Sequence, residues 1–187
     1  MQPSPVTAAN LLTFSRLIIL PVVIVGIAAR HGYVAVVAMG VILITDLLDG
    51  RIARRLGQAT SFGKSFDSTV DFVLIYALFI AFYAAGRLAT WQFGFLYLAM
   101  LTIFLLQFAL IAAGKGEEVA STALGKITGA LEYGYLLFLV AREVLPAGTA
   151  ISIVNMVFFG VLACAIALNS VQCVVRIRGM LRPAEGG

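Results

Sequence analysis

The order of apolar and polar positions divides the chain into six oily runs separated by short polar breaks. They cover approximately Phe14–Ala29, Tyr33–Leu48, Phe66–Ala85, Trp91–Ala113, Ile127–Leu145 and Ala150–Val175. None shows the period-two alternation of a membrane strand, and most approach the roughly 20 residues that a helix needs to cross a bilayer. Helices satisfy their own backbone polar groups in lipid, so the pattern predicts an all-α fold, a polytopic membrane bundle of six transmembrane helices. The second run is expected to continue as helix past its apolar stretch. Residues 1–13 carry no charge and read as a short N-terminal interfacial segment, with Val6–Thr13 as a turn of amphipathic helix. No basic stretch precedes the first run, which therefore reads as a membrane helix rather than a cleaved signal.

Composition strengthens this reading. Of the 187 residues, 61% are hydrophobic and 12% are charged. A soluble domain averages about 45–50% apolar and about 25% charged. A water-soluble globule is thus excluded, and residues 1–187 read as one membrane domain without internal repeats. Cys164 and Cys173 lack metal-type spacing and read as small core residues. The net charge of +4 would suggest nucleic acid in a soluble protein, but here topology accounts for it. Ten of the thirteen Lys and Arg fall on one side of the predicted bundle, leaving only Arg30, Arg87 and Arg142 on the other. The positive-inside rule then puts both termini, and the two longest polar loops, in the cytoplasm. Nucleic acid is not expected as a partner; membrane lipids are.

The carboxylates are placed unusually. All four aspartates, Asp46, Asp49, Asp67 and Asp71, fall at the facing ends of the second and third runs. Acids inside apolar segments are costly and commonly mark a site. Asp46 and Asp49 stand three apart, Asp67 and Asp71 four apart, so each pair shares a helix face. Gly50, Ala53 and Gly63 place small residues on the same faces. Four facing acids repel unless cations neutralise them. Oxygen donors without His or Cys suit Mg²⁺, Mn²⁺ or Ca²⁺ rather than zinc, and two divalent cations about 4 Å apart suit phosphoryl chemistry. The bland alternative is pairing of single acids with Arg51, Arg54 or Arg55, which does not explain matched spacing on two helices.

The segment Asp46-Leu-Leu-Asp49-Gly50-Arg-Ile-Ala53-Arg54, then Gly63-Lys-Ser-Phe-Asp67-Ser-Thr-Val-Asp71, resembles the signature of the CDP-alcohol phosphatidyltransferase family. That signature reads D-x2-D-G-x2-A-R followed by G-x3-D-x3-D, and every fixed position is matched. The resemblance covers nearly the whole chain. It implies a reaction in which CDP-diacylglycerol and a small alcohol give a new phospholipid and CMP. It also implies a homodimer in a prokaryotic-type cytoplasmic membrane, with the site on the cytoplasmic side. By position, Asp46, Asp49, Asp67 and Asp71 would hold two divalent cations, Mg²⁺ or Mn²⁺. Asp71 would also be the general base. Gly50, Ala53 and Gly63 would admit the cytidine, and Arg54 would contact the nucleotide or diphosphate.

Three further features stand beside the signature. Asn10-Leu-Leu-Thr13-Phe-Ser-Arg16 resembles the family's N-x-x-T-x-x-R stretch, which implies support of the nucleotide pocket. The alternative is that Asn10 and Thr13 cap the first helix and Arg16 snorkels to phosphates. Gly125-Lys126-Ile-Thr128 resembles the segment opening the fifth span of phosphatidylglycerophosphate-synthase-like members, where Lys126 would bind the phosphate of glycerol 3-phosphate. Glu132 is expected to pair with Lys126 or Tyr133 within the bundle. Glycerol 3-phosphate is the first expected acceptor. The Asp67-Ser68-x-x-Asp71 form also resembles the inositol-phosphate and serine branches. A non-enzymatic divalent-cation carrier is the competing class, and it would string acids through the membrane depth rather than gather them at one end.

Overall fold

The computed structural model describes residues 8–55, 61–112, 123–146 and 148–181, with side chains at 8–10, 49–55, 61–65, 106–112, 177 and 179–181 outside that description. All regular structure among these residues is helical: α1 (Ala8–Ala28), α2 (Gly32–Arg55), α3 (Ser61–Ala84), α4 (Thr90–Ala112), α5 (Ala123–Arg142) and α6 (Thr149–Leu181). The helices follow the six apolar runs closely. Leu11–Ala28, Phe66–Ala84, Ala123–Arg142 and Thr149–Arg176 are long and apolar enough to cross a membrane. Gly32–Leu48 and Thr90–Leu105 are shorter apolar stretches among the described residues. As expected, α2 continues as helix beyond its apolar part. Ala8–Thr13, expected to be a separate interfacial turn, instead begin α1 itself.

The chain forms two compact units. The first comprises Met1–Leu88 with Leu136–Pro146, the second Ala89–Tyr135 with Ala147–Gly187. In the first, α1 packs against α2 and α3. Its core is a set of helical stripes. On α1 the buried positions are Thr13, Arg16, Leu20, Val23 and Ile27; on α2 they are Ala35, Ala38, Met39 and Ile42; on α3 they are Val70, Leu74, Leu78 and Phe82. Steps of three and four residues keep each set on one face. At the opposite faces Ile18, Val25, Val37 and Ile80 are exposed, as side chains that meet lipid should be.

Two helix ends in this unit share one geometry. After α1, the His31 amide bonds the Gly26 carbonyl at 2.8 Å and the Arg30 amide bonds the Ile27 carbonyl at 3.2 Å. After α3, the Arg87 amide bonds the Phe82 carbonyl at 2.8 Å and the Gly86 amide bonds the Tyr83 carbonyl at 2.9 Å. Both are Schellman motifs, which turn the residue after the cap into the left-handed region. That residue is Gly86 (φ 71°) in one and Arg30 (φ 58°) in the other. The turn after α1 brings α2 back so closely that a methyl on Gly26 would lie 2.8 Å from the Ala35 amide nitrogen. At the same end, Arg87 Nη2 donates to Glu143 Oε2 at 2.8 Å, tying the turn after α3 to the end of α5.

In the second unit α4 packs on α6. Trp91 and Phe95 of α4 set ring edges against Phe159 of α6, with centroids 5.2 and 6.3 Å apart. Tyr135 of α5 meets Phe158 edge-on and donates its hydroxyl proton to Asn155 Oδ1 at 3.1 Å. The aromatic cluster supplies contact area, and the hydroxyl finds an acceptor without water.

Candidate metal centre

The three stripes of the first unit change character together at one end. Following α1 back from Leu20, the inward positions become Arg16 and Thr13. Following α2 forward from Ile42, the next inward turn reaches Asp46. Following α3 back from Leu74 and Val70, it reaches Asp71 and Asp67. The apolar seam therefore opens into a polar cluster built from three helices.

At its centre is the Arg16 guanidinium. Nη1 donates to Asp46 Oδ1 at 2.7 Å and to Asp71 Oδ1 at 2.6 Å. Nη2 donates to Asp67 Oδ1 and, at 3.3 Å, to the hydroxyl of Thr13. Arg16 is 1% exposed, whereas the Asp46, Asp67 and Asp71 side chains are 34%, 40% and 38% exposed. The arginine is thus the floor of the cluster and the carboxylates form its wetted rim. One ligand oxygen from each of Asp46, Asp67 and Asp71 lies within 4.8 Å of the others. At that distance two carboxylates repel by about 3 kcal/mol at an effective dielectric of about 20, less where water reaches them. With Arg16, the cluster of three acids carries a net charge of −2. Three carboxylate oxygens at this spacing could together hold a metal ion, and such hard donors suit a divalent cation.

The expected site residues distribute as follows. Asp46, Asp67 and Asp71 come together around Arg16. Of Asn10, Asp49, Gly50, Ala53, Arg54 and Gly63 only the backbone is described, and it is helical at each position. Thr13 and Arg16 differ from the capping and snorkelling alternatives. Thr13 lies inside α1, buried, and Asn10 is also within the helix, so neither is an N-cap. Arg16 points into the bundle, not to the headgroups. The missed signal was periodic: Arg16 stands four residues before Leu20 and seven before Val23, on the stripe that continues to Ile27.

Lys126 is exposed near the start of α5, while Thr128 and Glu132 are buried. Six residues at about 100° each set Lys126 and Glu132 roughly 120° apart around the helix, which does not favour the expected pairing. Thr128 returns its hydroxyl proton to the Leu124 carbonyl at 2.9 Å.

A match to known proteins agrees with this geometry. Residues 6–171 match the family model described as CDP-alcohol phosphatidyltransferase. The chain belongs to that family, and it is an integral membrane protein. It is 33% identical over 112 residues to a Mycobacterium tuberculosis (strain H37Rv) protein named probable phosphatidylglycerophosphate synthase, covering 57% of this chain and 54% of the relative. It is 29% identical over 132 residues to a Treponema pallidum CDP-diacylglycerol–glycerol-3-phosphate 3-phosphatidyltransferase, covering 64% and 56%. A Bacillus subtilis protein of the same name is 35% identical over 88 residues, covering 44% and 42%. The matched region spans about half the length of these relatives.

Proposed function

We propose that this chain, acting as one catalytic domain, transfers the phosphatidyl group from CDP-diacylglycerol to a small alcohol, with glycerol 3-phosphate the first candidate, and releases CMP. The observation that carries the proposal is the convergence of Asp46, Asp67 and Asp71 from two helices into one polar cluster at the end of an apolar seam. Asp46, Asp49, Asp67 and Asp71 would hold two divalent cations, Mg²⁺ or Mn²⁺. When bound, such ions neutralise a diphosphate and ease departure of CMP.

The chain's own residues do the rest. An Asp71 carboxylate oxygen takes the proton of the acceptor hydroxyl as its oxygen bonds to the diacylglycerol-bearing phosphorus. The bond from that phosphorus to the CMP oxygen breaks, and CMP leaves with the bonding pair. Gly50, Ala53 and Gly63 leave room for the nucleotide, and Arg54 contacts its phosphates. Placement at the end of the apolar seam lets acyl tails stay in lipid while the acceptor arrives from water. Positive-inside bias supports a cytoplasmic-facing site with cytoplasmic termini in a prokaryotic-type membrane. A homodimer is the expected working form.

The acceptor assignment draws on the names of the relatives and on Lys126, an exposed ammonium suited to a phosphate. A cation carrier is disfavoured because the described aspartates gather at one end of the unit.

The test is CMP release by purified protein supplied with CDP-diacylglycerol, Mg²⁺ or Mn²⁺, and glycerol 3-phosphate, inositol phosphate or serine in turn. Metal-dependent release with glycerol 3-phosphate is expected. Release with a different acceptor alone would reassign the substrate, and none with any acceptor would overturn the transferase reading.

A further inference from the structure

We propose that Arg16 is the site's resident counter-cation: it gathers the carboxylates of α2 and α3 and yields their oxygens to incoming divalent ions. The inference rests on the metal-site reading given above. A guanidinium that is 1% exposed is stable only where anions surround it, and here three carboxylates do so. Its fork of donors lets one cation serve all three, with Nη1 shared between Asp46 and Asp71 and Nη2 directed to Asp67. A lysine ammonium on a single stem does not reproduce that planar spread.

The position of Nη1 carries the exchange. It lies 2.7 Å from Asp46 Oδ1 and 2.6 Å from Asp71 Oδ1. Oxygen ligands sit about 2.0–2.6 Å from Mg²⁺ or Ca²⁺. A cation shared by those same two oxygens therefore competes with Nη1 for them, and guanidinium and ion, both positive, repel each other at such close range. Charge favours the exchange once ions are present: the three acids and Arg16 sum to −2, and a divalent ion brings more charge to the same oxygens. Arg16 thus acts on the reaction through the carboxylates, as a positioning residue that keeps the three like charges of Asp46, Asp67 and Asp71 assembled and sets the ion concentration at which the site fills.

The experiment compares wild type, Arg16→Lys and Arg16→Met in micelles. Mn²⁺ binding is read from the electron paramagnetic resonance signal of the free ion, and Tm is read in chelator and at saturating Mn²⁺. Arg16→Met is expected to bind Mn²⁺ at least tenfold more tightly than wild type. It should also melt lower in chelator, with the gap closing as Mn²⁺ saturates. Arg16→Lys should fall between them, and it carries the test alone if the methionine variant does not fold. Unchanged or weaker Mn²⁺ affinity in the variants, with normal binding by wild type, would overturn the proposal and leave the metal site standing. No Mn²⁺ binding by wild type would instead remove the metal site, and the counter-cation role with it.

Discussion

Replacing Asp71 with asparagine separates the two roles assigned to that carboxylate. The side chain keeps its shape and retains an oxygen that can accept from Arg16 Nη1, a bond of 2.6 Å in the native protein. The three acids and Arg16 change from a net −2 to −1, so repulsion within the cluster falls. Folding stability in chelator should therefore be unchanged or slightly higher, as is common when charge is removed from a functional site. The amide cannot take a proton from an alcohol, and loss of a general base typically costs about 10²–10⁴ in rate, or about 3–5 kcal/mol of barrier. Loss of a metal ligand would instead raise the Mn²⁺ concentration needed without fixing the ceiling. The assay is CMP release as a function of Mn²⁺ at saturating CDP-diacylglycerol and acceptor, with Tm measured in parallel. A kcat at saturating Mn²⁺ at least 100-fold below wild type is expected. Recovery to within tenfold when Mn²⁺ saturates would refute the base assignment and reduce Asp71 to a ligand.

The remaining predictions concern the scaffold. Arg30 and Gly86 occupy the same left-handed position in two Schellman motifs, so Arg30→Gly should stabilise by about 0.5–1 kcal/mol and Gly86→Ala should destabilise by about 1–2 kcal/mol. Nothing lies within 4 Å of a methyl at Gly86, so the second value isolates backbone strain and is read as a change in Tm. A methyl on Gly32 would lie 2.5 Å from the Glu143 carbonyl oxygen, whereas one on Gly40 of the same helix meets nothing within 4 Å. Gly32→Ala should cost about 1–3 kcal/mol and Gly40→Ala should be neutral or stabilising, both measured by thermal melting in micelles. Glu143→Ala strands Arg87 and should cost about 1–3 kcal/mol; a double-mutant cycle with Arg87→Ala should show most of that loss as coupling, and strict additivity would discount the ion pair.

Much of this architecture was legible because lipid is a demanding solvent. A helix in hydrocarbon needs a long apolar run, and each run therefore announced itself to within a few residues. The aspartates were legible for the complementary reason: a carboxylate is so unfavourable in such a run that its presence signals a compensating partner. The partner was harder to read. Arg16 lies 30, 51 and 55 residues from Asp46, Asp67 and Asp71, and only the packing of α1 on α2 and α3 brings them together. Local propensity suggested a cap for Thr13 and a headgroup contact for Arg16, while the buried stripe of α1 decided otherwise. Arg30 gave no signal at all, since a left-handed arginine looks like any other arginine in a one-dimensional reading.

The near-contact of Gly26 with Ala35 makes the α1–α2 hairpin a lever with its fulcrum at the blunt end. Ten residues of helix, roughly 15 Å, separate Gly26 from Arg16. A scissor rotation of about ten degrees about that pinch would carry Arg16 roughly 2.6 Å away from α2, about the length of one hydrogen bond. Angular freedom too small to disturb the apolar seam is therefore amplified where the charges meet, and a side chain as slight as hydrogen at position 26 keeps the pivot tight.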